Sequence, residues 1–299
     1  MIYKNKSVSE LSNSTEVRGF FVDQKKYQPI KPEECIFLDI ETVANYSSYE
    51  QLSPELQKRF EIKLNRWINY DDSAKSKIID AFFQELEKET NLMNVLDGES
   101  LLKIYKNQKA ISPSKRYIEV AGLYPEYGKI ICISMGFMKN GEFQTISFVG
   151  NELKLLMNFQ FGITKLYERI SKENDGNVWV VGHNINFFDV PFITKRMSLN
   201  GLLTPAFLHQ PFQQPWNKRI IDTASEWRAG NATGDATLET ISLSLGFESS
   251  KSGKVNGESM GQYYYSKDFD VNELVTYCES DVVNVYKLFT YLQNLKQVK

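Results

Sequence analysis

The spacing of apolar residues changes character several times along the chain, and each change predicts an element. Residues 1–29 are mixed polar and form a lead-in segment that gives way to prolines at Pro29 and Pro32. The run Cys35-Ile-Phe-Leu-Asp39-Ile-Glu41 is apolar apart from its two acids. Its length and the flanking prolines predict a buried strand. Between 45 and 117 the period becomes helical. Ser53-Pro54-Glu55 is a helix start, followed at helical spacing by Leu56, Phe60, Leu64 and Trp67. A second helix is expected over 74–90, through Ile78, Ile79, Phe82, Phe83 and Leu86, and a third over 99–107. Acidic and basic residues nearly balance in this stretch, which we read as a helical insertion after the first strand.

Strand patterns then return. Lys129–Met138 and Glu142–Val149 flank Asn140-Gly141, the strongest short hairpin signal, because a type I′ turn needs positive φ at both positions. A helix capped by Asn151 is expected to about Ser171, a short strand over Val178–Val181 ending at Gly182, and a helix from about Val190 to the Asn200-Gly201 stop. Arg219–Asp222 forms a further strand, and Ala236–Leu245 a helix closed by Gly246. Asp270, with Glu273 three residues on, resembles a capping box and opens a last helix to about Leu295. The order βββαβαβα predicts an α/β fold around a sheet of mixed direction.

Composition narrows the chemistry. The 299 residues carry 35 basic and 37 acidic side chains, a formal charge of −2, 42% hydrophobic residues and only 2 histidines. The balance is that of an ordinary globular protein and lacks the basic excess of most nucleic-acid-binding domains. Two histidines leave little for a histidine-rich metal site, so carboxylates, tyrosine or hydroxyls must carry any catalysis. The three cysteines, Cys35, Cys132 and Cys278, lack zinc-knuckle spacing and suit a reducing compartment. No apolar window is long enough for a membrane span and the N-terminus lacks a signal-peptide core, so a cytoplasmic protein without a membrane partner is expected.

Three carboxylate motifs stand out. Asp39-x-Glu41 lies in the first strand, where alternation puts both acids on one face. Alone it reads as a strand end with two solvated acids, and Asp97-Gly98-Glu99 is expected to be only a turn. The second motif, Gly182-His183-Asn184-Ile-Asn186-Phe-Phe188-Asp189, spans a strand-to-helix junction, where Asp189 either caps the helix or belongs to a site. The third is Tyr277-x-x-x-Asp281. Leu274, Cys278, Asp281, Val285, Leu288 and Leu292 form one stripe, so Asp281 takes a core-facing position and needs a metal or a buried hydrogen-bonding partner. Tyr264-x-x-x-Asp268 lacks such a stripe.

In this order the three motifs resemble those of the DEDD exonuclease superfamily, and the tyrosine resembles its DEDDy branch. The histidine branch would need His where this chain has Thr276. Leu123-Tyr-Pro-Glu-Tyr-Gly-Lys-Ile-Ile-Cys-Ile-Ser134 further resembles the proofreading domain of family B DNA polymerases and, more closely, stand-alone predicted 3′–5′ exonucleases related to it. The resemblance covers 30–44 and 118–295.

The resemblance implies a ribonuclease H-like fold: a mixed five-stranded sheet flanked by helices, with an exonuclease core over 30–44 and 118–299 and the insertion at 45–117. It also implies that Asp39, Glu41, Asp189 and Asp281 hold two divalent metal ions, Mg2+ or Mn2+. Tyr277 would orient the attacking water, while Thr42, Asn184 and Phe188 would bind the terminal nucleotide. The expected activity is 3′–5′ hydrolysis of DNA, at single-stranded or frayed ends, releasing 5′-mononucleotides. A 3′–5′ exoribonuclease and a non-catalytic nucleic-acid-binding module are the alternatives. The third motif lies near the last residue, so a polymerase or repair protein is expected only as a partner in trans. Lys195, Arg196, Lys218, Arg219 and Lys251 are candidates for a local basic groove, His183 for a structural residue, and Asp222 for a supporting acid or a cap.

Overall fold

The computed structural model describes residues 29–70, 113–209, 219–231, 236–248, 257 and 259–296, and of 65–70 and Lys115 the backbone alone. The expected helices at 74–90 and 99–107, the Asp97-Gly98-Glu99 turn, Lys218 and Lys251 lie outside these residues. Five strands form one sheet in the order β3-β2-β1-β4-β5. They are β1 (Cys35–Ala44), β2 (Gly128–Lys139), β3 (Glu142–Val149), β4 (Trp179–Gly182) and β5 (Ile220–Asp222). β1 pairs antiparallel with β2 and parallel with β4; β2–β3 is antiparallel and β4–β5 parallel. The mixed direction is as expected. The β2–β3 hairpin turns at Asn140 and Gly141, with φ of 53° and 80°, the geometry that selects this dipeptide.

The helices are α1 (Pro54–Tyr70), α2 (Pro113–Val120), α3 (Glu152–Glu173), α4 (Asp189–Leu199), α5 (Thr223–Arg228), α6 (Leu238–Ser244), α7 (Met260–Tyr264) and α8 (Val271–Leu295). Central position explains the apolar run of β1, since both of its faces are covered. Ile36, Leu38 and Ile40 meet Leu155, Phe159 and Ile163 of α3 and Phe192 and Ile193 of α4. Cys35 and Phe37, on the opposite face, meet Val282, Val285 and Phe289 of α8. The two-residue period therefore turns Asp39 and Glu41 toward α8. That helix runs close to the sheet at Gly136, where a Cβ would stand 2.7 Å from Val282.

Between β1 and β2, Phe60 and Leu64 of α1 pack with Tyr49, Tyr117 and Tyr127, whereas Leu56 of the expected stripe is 38% exposed. Asp270 caps α8 by accepting from the Asn272 N–H. Glu273 does not complete the expected capping box: its carboxylate takes the Tyr263 hydroxyl at 2.6 Å. Among the described residues, no helix is long and apolar enough to cross a membrane.

Arg196 corrects an expectation. It is buried rather than placed in a basic groove. Its guanidinium grips Glu152 through two nitrogens and donates to the Pro125 carbonyl at 2.8 Å. Glu152 also accepts from the Ile130 N–H at 2.8 Å, so the pair joins α3, α4, the 124–128 turn and β2. Stranding a buried charge is expensive. Glu152→Ala should cost about 3–5 kcal/mol, read from the midpoint of denaturant unfolding. A loss below about 1 kcal/mol would contradict the buried-pair assignment.

Candidate active site

Asp39 and Glu41 lie on β1 directly under α8. Next to them the β1–β2 register slips: Glu41 pairs with Cys132 but Thr42 with Ile130. Ile131 is the extra residue of this bulge. As a result Ile131 and Cys132 both pack on the α8 side, while Ile130 and Ile133 face the opposite core. The bulge thus brings a thiol to the face that carries the two acids.

From α8 come Tyr277, Cys278 and Asp281. Positions 277 and 281 share a face, and so do 278 and 281. Carboxylate oxygens of Asp39 and Glu41 and the sulfur of Cys278 all lie within 4.8 Å of one another. The Cys278 thiol donates to Asp39 Oδ2 at 3.4 Å.

Asp189 arrives by a different route. β4 stops at Gly182, where a Cβ would clash with Ile185 at 2.7 Å, and the chain turns through Asn184 with φ of 60°. The Asn184 carbonyl accepts from the N–H groups of Phe187 and Phe188. Asp222, at the end of β5, holds this loop. Its carboxylate accepts from Asn184 N at 2.9 Å and Asn186 N at 3.4 Å, and it also caps α5 through Ala224 and Ser225. Both sequence alternatives for Asp222, cap and supporting acid, are realised in one side chain. His183 bridges the Thr223 hydroxyl and the Ala236 carbonyl and is structural, as expected.

The loop sets Asp189 as the first residue of α4, with Phe188 in the capping position. Asp189 therefore does not serve as the cap. Its Oδ1 instead reaches β1 and accepts from the Ile40 N–H at 3.1 Å. Ile40 lies beyond the last β1–β4 pair, Phe37–Val181. The side chain thus replaces the strand that β4 is too short to supply.

Electrostatics ties the four acids together. Burial raises the pKa of Asp39 well above the usual carboxylate range, and the charges of Asp281, Asp189 and Glu41 raise it further. Glu41, 9% exposed, is raised by burial, then by Asp281, Cys132 and Asp189. Asp189 is pushed up to about 7, mainly by burial, against hydrogen bonds that lower it. Tyr277 is raised above the ordinary phenol range by burial and by Glu41, Asp281 and Asp39. Each of these groups feels the charge of Asp281. All four sequence-predicted carboxylates and the tyrosine therefore share one electrostatic environment.

A cleft of about 710 Å3 opens beside Glu41, lined also by Thr42, Phe188, Arg116, Gly257 and Gln262. Thr42 donates to the Gly122 carbonyl at 2.7 Å. Phe188 lines the cleft while packing on Phe192, and Phe187 beside it is 73% exposed. Asn184 acts here through its backbone turn. α2, which straddles the end of the expected insertion, lines the cleft through Arg116 and Glu119, ion-paired at 2.6 Å. Lys195 and Arg219 are spent elsewhere, one near Glu126 at 3.9 Å and the other over the Trp179 ring. Cys278, Cys132 and Arg116 were not singled out from the sequence as site residues. Cys278 had a signal, since it stands in the same apolar stripe as Asp281.

The family model for the RNase_H superfamily matches residues 117–293. The chain belongs to this superfamily, and its five-stranded mixed sheet is the ribonuclease H-like fold expected from the sequence. No curated protein matches the chain. Among solved structures it is similar to the family B DNA polymerase from the hyperthermophilic archaeon Pyrobaculum calidifontis, at 16% identity and a TM-score of 0.40. That match covers 58% of this chain and 23% of the polymerase, so the chain spans under a quarter of the polymerase's length.

Proposed function

We propose that the protein is a metal-dependent 3′–5′ exonuclease of the DEDDy type, acting on DNA at single-stranded or frayed ends and releasing 5′-mononucleotides. The carrying observation is the convergence of acids from β1, α4 and α8 in one shared field, with Tyr277 inside it. Buried carboxylates that repel one another are a donor set suited to divalent cations, and an all-oxygen carboxylate set favours hard ions. Asp39, Glu41, Asp189 and Asp281 would hold two ions, Mg2+ or Mn2+. Bound there, the ions supply Lewis acidity toward the attacking water and the leaving 3′ oxygen.

The remaining chemistry belongs to the chain. Burial and three nearby carboxylates oppose ionisation of Tyr277. It serves as a hydrogen-bonding group that orients the water rather than as a base that removes its proton. Asp189, anchored to the Ile40 N–H, keeps its carboxylate fixed relative to β1. Thr42 and Phe188 line the cleft where the terminal nucleotide would sit, with Asn184 at the turn behind Phe188. In this reading 30–44 and 118–299 form the exonuclease core, 45–117 is an insertion whose final helix walls the cleft, and 1–29 is a lead-in.

Matched DNA and RNA oligonucleotides of one sequence, digested with Mg2+ or Mn2+, test the substrate. Faster loss of DNA, with 5′-mononucleotides released and a chelator stopping the reaction, is the expected result. Preferential digestion of RNA would replace the DNA assignment with an exoribonuclease.

A further inference from the structure

The acid cluster contains an atom that a hard-metal site does not need. Cys278 is wholly buried, and its sulfur belongs to the same tight group as the Asp39 and Glu41 oxygens, all within 4.8 Å of one another. Magnesium and manganese take oxygen ligands, whereas zinc and cadmium prefer thiolate. We propose that Cys278, with Asp39 and Glu41, forms a thiophilic metal site, so that one Zn2+ or Cd2+ ion binds through sulfur and displaces the hard ion.

The distances fit. With Zn–S of about 2.3 Å and Zn–O of about 2.0 Å at a tetrahedral angle, ligand sulfur and oxygen stand about 3.5 Å apart. Cys278 Sγ and Asp39 Oδ2 are already 3.4 Å apart. Glu41 completes the group with a small movement of its flexible side chain. A second thiol stands behind the first: Cys132, delivered by the β2 bulge, packs in the same cluster as Cys278 and approaches Ser134 Oγ at 3.7 Å. The ligands come from the central strand and the helix covering it, two elements held together where Phe37 packs on Phe289, ring centroids 5.5 Å apart. Binding forms one metal–sulfur bond and releases the thiol proton to solvent, with no change of oxidation state.

This inference rests on the metal-centre reading of the acid cluster, and its test is separable from the nuclease assay. Metal-free, full-length protein is titrated with Cd2+ and followed by ultraviolet cadmium–thiolate charge-transfer absorption, with calorimetry for affinity. The expected result is thiolate absorption saturating at one ion per chain, with Mn2+ bound beforehand released as Cd2+ binds. Cys278→Ser should abolish that absorption and weaken Cd2+ and Zn2+ roughly ten- to a hundredfold, while Mn2+ affinity changes less than about threefold. Cys35→Ser should leave it intact, because Cys35 lies in the core and donates to the Lys31 carbonyl.

Absent absorption in wild-type protein, absorption that survives Cys278→Ser, or absorption that develops while all bound Mn2+ stays in place would each overturn the site. The Mn2+ competition uses wild-type protein, so it decides the matter even where the variant fails to fold. Digestion with Mn2+ but no thiolate absorption defeats the thiophilic site alone. Thiolate absorption without digestion defeats the nuclease reading alone.

Discussion

Asp39→Ala should lower magnesium-dependent digestion of a single-stranded DNA oligonucleotide by roughly a thousandfold, equivalent to about 4 kcal/mol in the barrier. Asp39 is the acid on which the site's interactions converge. It lies on the central strand, feels the charges of Asp281, Asp189 and Glu41, and accepts from Cys278. On the proposed metal-centre reading, removing it deletes a ligand that metal binding needs. The fold should survive, because alanine at this position relieves an unfavourable buried charge in the metal-free protein. Tyr277→Phe, assayed alongside, should cost roughly ten- to a hundredfold, the scale of one hydrogen bond lost in the transition state. Retention of more than a tenth of wild-type turnover by Asp39→Ala would remove that residue from the site.

The second large effect concerns stability without metal. Asp189 is pushed up to about 7, against an unfolded value of about 3.9. Between these pH values the folded state holds a proton that the unfolded state has released, so stability falls as pH rises through the window. Asp39 and Glu41, also raised, extend the decline to higher pH. Asp189→Asn cannot ionise, yet its side-chain carbonyl still accepts from the Ile40 N–H. In chelator at pH 8 this variant should melt above wild type by at least about 4 °C and show a flatter pH profile between about 4 and 7. Saturating Mn2+ should reverse the order by stabilising only the intact acid set. A variant that melts below wild type in chelator would mean that Asp189 is not a charge held at a cost.

How much of this was legible beforehand depended on whether local pattern or distant contact decided the outcome. Asn140-Gly141 announced its hairpin because the turn's φ values are a local demand. The run 35–41 announced a central strand because two covered faces require apolar residues on both. Alternation alone put Asp39 and Glu41 together, and helical spacing alone put Tyr277 with Asp281. Asp189 was ambiguous because its partner, the Ile40 N–H, is orphaned only by the shortness of a third element. The bulge at Ile131 left no signal in an unbroken apolar run, so Cys132 gave no sign of facing the site. Arg196 looked like a groove residue because charge suggests exposure. Its burial follows from Glu152, 44 positions away, and no local pattern shows that pairing.

The central claim is that the four carboxylates form a metal-dependent centre that removes nucleotides from a 3′ end. The most direct measurement is digestion of one single-stranded DNA oligonucleotide labelled at either its 3′ or its 5′ end, with Mg2+ or with chelator. A 3′ label released at once as a mononucleotide, with the 5′-labelled strand shortening stepwise and both reactions stopped by chelator, is the predicted result. A 5′ label released first, or equal digestion in chelator, would contradict it.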